Sequence, residues 1–327
     1  MPGCIIRAII EARAPEGAFP SFIRFGDREL RDLNSFTTAQ VLRALRDVSG
    51  PKALTEAREK ALDFLLSCKA PERPGAFRYW PDPLRPPLIP ELPADSDDTA
   101  IILLELVRHG RVSLESAVEA AASVLVPHRL KNVSQPAPSW LRPGVFLTWL
   151  GGEGANIVDC CANANVVALL AYTGHRHFPG YREACSMIEA GILWTEGKKE
   201  RIQCLTPFYP HPAEFVYAIR NAVASGAKEL EKSLNLVHGF GWLPETTDTA
   251  SAETWPICSD AYGTIVWSSG VLQKARSLSP NNACLRKQAG PGEFGRHETR
   301  AFHIPIPCNK GPGKKSEIRC FTGRRCL

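Results

Sequence analysis

Gly75-Ala76-Phe77-Arg78-Tyr79-Trp80 and Gly144-Val145-Phe146-Leu147-Thr148-Trp149 are two copies of one pattern, Gly-x-Phe-x-x-Trp, each followed by a loop and then an apolar run of helical character. Weaker copies are Gly17-Ala18-Phe19 with Phe22, and Gly239-Phe240-Gly241-Trp242. The helix starts that these segments announce, near Thr38, Thr99, Asn163, Tyr217 and Thr264, stand about 47 to 64 residues apart, a period suited to one helical hairpin plus a loop. Between them lie patterns of two kinds. Leu54 to Cys68 and Leu114 to Val126 have an apolar stripe and a charged face, whereas Ile101 to Val107 and Val166 to Tyr172 are apolar nearly all round. Helices buried on every side alternating with helices wetted on one are what a double ring requires. With little strand signal, the sequence predicts an all-α fold, an (α/α) toroid of helical hairpin repeats over residues 1–278. Residues 279–327, rich in Pro, Gly, Cys and basic side chains without helical period, are expected to form a disordered tail.

One of those helix starts carries chemistry. Asp95-Ser96-Asp97-Asp98-Thr99-Ala100 sets three carboxylates in four positions ahead of Ile101 to Val107. Carboxylates crowded into a desolvated site cannot all ionise cheaply, so at least one keeps its proton at neutral pH. Such a proton can be given to a very weak base, an alkene included, in a pocket that excludes water. The plainer reading is that Asp95, Ser96 and Asp98 cap the helix N-terminus, and it stays open at this point.

The string Asp95-Ser96-Asp97-Asp98-Thr99-Ala100 resembles the DxDDTA signature of class II terpene cyclases, the squalene-hopene and copalyl diphosphate synthase group. The resemblance implies that Asp97 protonates a terminal alkene or epoxide, with Asp95 and Asp98 as supporting carboxylates. It also implies a terpenoid cyclase/protein prenyltransferase-like toroid. Most members have two or three domains, and this chain has room for one, so it is similar to the monodomain meroterpenoid cyclases of the merosterolic acid synthase type. In the family a polar side chain from a neighbouring helix orients the donor. Aligning Asp95 with Asp159 brings Asn163 and Asn165 forward for that role; the alternative for each is a helix cap or a bond to turn backbone.

A carbocation moving through a polyene needs electron-rich faces without nucleophilic atoms, which aromatic rings supply. By position near the loops and helix starts, Trp80, Trp149, Tyr262, Trp267, Phe77 and Phe146 are the candidates to bind substrate. Arg24, Arg28, Arg73, Arg78, Arg85 and Arg142 lie in predicted loops, where each could meet an anionic head group or be only a surface charge.

Composition narrows the alternatives. The net charge of +5 conceals a tail in which ten Lys or Arg face three Glu, so the rest of the chain is slightly acidic and offers no nucleic-acid surface. No apolar stretch is long enough for a membrane span and no signal-peptide layout opens the chain, so a cytoplasmic enzyme with at most peripheral membrane contact is expected. The eleven cysteines lack a disulfide rhythm. No DDxxD element for magnesium-dependent ionisation is present, and neither cofactor nor metal is expected. The partner is then a small-molecule isoprenoid. Two other classes stay in view. One is a non-catalytic toroidal binding scaffold. The other is a zinc prenyltransferase, whose Asp-x-Cys pair is matched by Asp159-Cys160-Cys161 but whose later His is replaced by Gly263.

Overall fold

The computed structural model describes residues 2–87, 89–151, 156–243 and 255–279. Past Ser279 the expected tail lies outside the described residues. Among those described, the chain forms eleven α-helices: α1 (Pro2–Ala12), α2 (Ser35–Leu45), α3 (Lys52–Ser67), α4 (Ser96–Arg108), α5 (Leu114–Ala120), α6 (Cys160–Tyr172), α7 (Tyr181–Thr195), α8 (Ile202–Leu205), α9 (Pro212–Ala224), α10 (Glu231–Gly239) and α11 (Gly270–Leu278). α5 runs on as a π-helical turn, Ala121–Leu125.

The helices sort into two rows by how they bury. α6 is buried at every position from Cys160 to Ala171, and α4 from Ser96 to Leu106. α3 buries only one stripe, Leu54, Ala57, Ala61, Leu62, Phe64 and Leu65. The inner row runs α11, α2, α4, α6, α9, each packed on the next. α3, α5, α7 and α10 lie outside α2, α4, α6 and α9 respectively. The ends of the inner row meet through a buried ion pair, with Arg276 of α11 donating to both carboxylate oxygens of Glu214 of α9 at 2.6 and 2.7 Å. Arg276 also lies over the Tyr217 ring, 4.1 Å from its centroid.

The Gly-x-Phe-x-x-Trp copies are staples between adjacent inner helices. The backbone N–H of Phe19, Phe77 and Phe146 donates to Thr38, Thr99 and Asn163 at 3.1, 3.0 and 2.9 Å, one side chain on each of α2, α4 and α6. Two residues after Phe77 and Phe146, the carbonyls of Tyr79 and Thr148 accept from Ser35 and Ser96, the first residues of the preceding inner helices α2 and α4, at 2.9 and 2.8 Å. The Phe77 and Phe146 staples thus each hold two successive helices in register. The glycine of the pattern has to be glycine. Gly17 sits at φ +104°, and a Cβ there would lie 2.2 Å from the Lys60 carbonyl oxygen on α3. Gly17→Ala is expected to lose at least about 2 kcal/mol in urea unfolding. Gly26→Ala, also at positive φ but in open space, is expected to lose only about 1 kcal/mol. Equal losses at the two positions would show that backbone strain, not contact with α3, sets the effect.

The all-α expectation needs correction. Four strands, β1 (Ser21–Phe25), β2 (Arg28–Asp32), β3 (Pro256–Ser259) and β4 (Ile265–Ser268), form an antiparallel sheet in the order β2-β1-β4-β3. Gly26 and Asp27 make the two-residue turn of the first hairpin, with Gly26 at φ +57° as such a turn requires. Thr264 therefore precedes a strand rather than a helix; the helix in that region begins at Gly270, capped by Ser269. Tyr217 lies in the middle of α9, whose N-cap is His211. The sheet places Trp267 and Cys258 beside Tyr79 at the N-terminal end of the inner helices. No helix among the described residues is long and apolar enough to cross a membrane.

Candidate active site

The inner helices α2, α4 and α6 open with side-chain caps, Asn34, Asp95 and Asp159, each accepting from a backbone N–H of the first turn. These starts gather around a cavity of about 780 Å³, counted with its open mouth. Asp97 stands on its wall with Asp95, Asp98 and Asp159, and Phe36, Tyr79, Trp149, Phe208, Tyr209 and Trp267 supply aromatic surface.

Asp97 is buried and held at both oxygens. The Asn165 amide donates to Oδ1 at 2.7 Å, and the Tyr209 hydroxyl donates to Oδ2 in a short hydrogen bond. Burial pushes its pKa well above the usual carboxylate range, and the neighbouring charges of Asp95 and Asp159 push the same way, against the Asn165 bond and the pull of Arg43. Asp95 caps α4 by accepting from the Asp98 N–H at 2.7 Å; burial still raises its pKa to about 6. Asp98 is raised well above its ordinary value by burial, then by Asp95 and Asp97, and its Oδ2 has no partner among the described residues. Asp159 accepts from the N–H groups of Cys161 and Phe208, and burial lifts it to about 7. A helix N-terminus favours carboxylate anions. Here desolvation outweighs that dipole.

Behind Asp97 the polar chain continues. Arg43 of α2 donates to the Asn165 carbonyl oxygen at 3.3 Å, which fixes the amide so that its NH₂ faces Asp97. Arg43, Arg46 and Arg108 surround the fully buried Glu105 at 3.7, 3.5 and 2.8 Å. Burial would raise the Glu105 pKa, but the three guanidiniums together hold it below its ordinary value, while burial lowers Arg43 to about 10.

The other residues singled out from sequence divide. Trp149 and Trp267 line the cavity. Trp80, Phe77 and Phe146 do not: all three are core, and Trp80 turns its indole N–H to Asp32 at 2.8 Å. Tyr262 is 58% exposed, outside the lining. Asn163 does not reach Asp97, because its amide is spent on the N–H and carbonyl of Phe146 and the carbonyl of Asp159. It fills the place that Thr38 and Thr99 fill in the other repeats.

Two roles escaped the sequence reading. Tyr209 is expected from sequence only as one of the aromatics near the rim; it is separated from Asp97 by 112 residues, and no local spacing points to it as the acid's partner. Asp32, at the end of a charged run, accepts from Trp80, Trp267, Asn34 and Ser21 and so locks the Trp267 indole in place. The one available signal was Phe25-Gly26-Asp27-Arg28, which marks the hairpin that carries Asp32 but not its role.

The zinc-like match takes another form. Asp260 closes the turn between β3 and β4, its carboxylate accepting from Thr264 and Ile265. Among the described residues no group of three His, Cys, Asp or Glu could hold a metal ion.

No family model matches the chain, and no curated protein matches it. Solved structures are similar to it, among them these three. A variant of the type II terpene cyclase MstE from Scytonema, in complex with geranylgeranyl dihydroxybenzoate as substrate, is 16% identical, with 87% of this chain and 96% of that one covered at a TM-score of 0.45. For the apo form of MstE the figures are 15% identity, 86% and 96% covered, and 0.43. A protein from Actinoplanes is 18% identical, with 85% and 98% covered at 0.39.

Proposed function

We propose that this chain is a proton-initiated, class II terpene cyclase, an isomerase acting on a linear polyprenyl or prenylated aromatic substrate inside an (α/α) toroid that the Glu214–Arg276 pair closes. The observation that carries the reading is Asp97, a buried carboxyl with a strongly raised pKa on the wall of an aromatic-lined cavity, held by Asn165 and Tyr209. A binding scaffold has no use for such an acid.

The donor geometry follows from the hydrogen bonds. The Asn165 N–H needs a lone pair, so Oδ1 is the carbonyl oxygen and the proton resides on Oδ2, beside Tyr209. Transfer to the terminal alkene carbon forms one C–H bond and leaves a tertiary cation, which successive π bonds quench by ring closure. Loss of a proton from the last cation gives an isomer of unchanged mass. The Asp97 carboxylate left behind keeps its bonds from Asn165 and Tyr209 and the field of Arg43. Trp149, Trp267, Phe36, Tyr79 and Phe208 offer their faces to the migrating charge, each worth roughly 0.5–2 kcal/mol. Binding the polyene already folded supplies much of the remaining acceleration.

Purified protein incubated in EDTA with farnesyl and geranylgeranyl substrates of several head groups should yield cyclic isomers by mass spectrometry and NMR; absence of any cyclic product would sink the proposal. The two asparagines separate positioning from packing. Asn165→Ala is expected to lower kcat roughly 10²-fold with little change in KM. Asn163→Ala is expected to leave the kcat of folded enzyme within a few-fold while costing about 1–3 kcal/mol, because the Phe146 backbone loses its partners. The opposite pattern would assign the donor's partner to Asn163.

A further inference from the structure

Five carboxyl side chains line the cavity, Asp95, Asp97, Asp98, Asp159 and Asp260, and its described lining holds no Lys, Arg or His. Of the cations nearest in sequence, Arg78 is tied to Glu72 and Asp82, Arg73 to His128, and Arg43 reaches Asn165 from behind; Arg85 bonds the backbone carbonyl of the lining residue Ile89 without itself joining the lining. What the lining offers instead is neutral. The hydroxyls of Thr148 and Ser259 are buried on the cavity wall without hydrogen-bond partners among the described residues.

From this we infer that the head group of the substrate is uncharged, a polyprenyl chain ending in an alcohol, a phenol or an ester rather than in a diphosphate or a carboxylate. The inference rests on the cyclase reading of the Asp97 site. An anion entering this cavity would meet five carboxyls and no cation among the described lining residues, so its binding would require those carboxyls to take up protons. A hydroxyl or ester can bond Thr148 or Ser259 and leave the ionisation of the carboxyls as it is.

The test uses matched pairs on the full-length chain: a prenylated hydroxybenzoic acid against its methyl ester, and a prenyl diphosphate against the free alcohol, each at farnesyl and geranylgeranyl length. Binding to Asp97→Asn is read by quenching of tryptophan fluorescence, and turnover is followed with the unsubstituted protein. The neutral member of each pair is expected to bind at least about 10-fold more tightly near pH 8, about 1.4 kcal/mol. For the acid and ester pair, that advantage should shrink toward about pH 5 as the wall carboxyls take up protons. Equal or tighter binding of the acid or the diphosphate, or cyclisation of those substrates alone, would overturn the inference. A 10-fold preference for the neutral ligands without any cyclisation would overturn the proton-donor reading and leave the head-group assignment standing. No binding of either member at either length would overturn both.

Discussion

Asp97→Asn loses at least about 10³-fold in turnover while its fold and melting temperature survive: that is the largest functional effect expected of any single substitution in this chain. The amide keeps the shape. Its oxygen can accept from Asn165 and its NH₂ can donate to the Tyr209 oxygen once the Tyr209 hydroxyl turns away, so the packing survives with one hydrogen bond reversed. Only the transferable proton is gone. Stability gives an independent readout of the same group. Because the folded-state pKa of Asp97 is raised, the stability it contributes is complete below the unfolded-chain value, near 4, and is lost as pH rises through the folded value. The amide of the variant does not titrate, so its melting temperature relative to the parent should climb as pH rises above about 4. Activity of the parent should fall over the rising limb of the same titration. A variant with normal turnover would remove Asp97 from the mechanism, and a pH-independent difference in melting temperature would show that the carboxyl is not held protonated.

The largest stability effect should come from the other end of the same helix. Glu105→Ala leaves Arg43, Arg46 and Arg108 without the carboxylate they share, and breaking a buried ion pair from one side costs about 3–5 kcal/mol. The C-terminal dipoles of α2 and α4 and the oxygens of Asn221 and Ser225 recover part of this, since Arg46 and Arg108 bond Asn221 and Arg108 bonds Ser225. The net loss should still exceed that of Asn163→Ala. Urea unfolding decides it, and a loss below about 1 kcal/mol would mean that the helix ends and the neutral oxygens suffice for three guanidiniums. Glu105→Gln then separates charge from shape, since the amide keeps the volume and one acceptor.

The helices and the acid cluster were legible because both are local. Ile101 to Val107 announces a buried helix by its composition, and three Asp in four positions announce a crowded site wherever they fall. Asn165 was reachable through the repeat, since aligning Asp95 with Asp159 puts it one turn into the neighbouring inner helix. The same alignment held the answer for Asn163, which stands where Thr99 stands and performs the same backbone bond; reading it as a partner of the acid ignored its own repeat. Trp80 and Trp149 show where periodicity stops informing. They share a repeat position, yet a buried carboxylate beneath one captures its indole, whereas the other meets Phe208 edge to face beside the cavity. The turn at Gly26-Asp27 marks one hairpin, but the sheet was missed because β4 pairs with β1 from more than two hundred residues away, a pairing beyond the reach of any local pattern.

The reach of the hydrogen bonds to Asp97 means that the acid is assembled rather than encoded in its own segment. Its two partners follow it by 68 and 112 residues. Until α6 and the loop bearing Tyr209 have packed against α4, neither bond to Asp97 can form. In that interval Asp97 faces water and ionises like any surface carboxylate. Under the proposed mechanism the acid is therefore poised only once the later units have closed over it, so completion of folding would itself be the activating event.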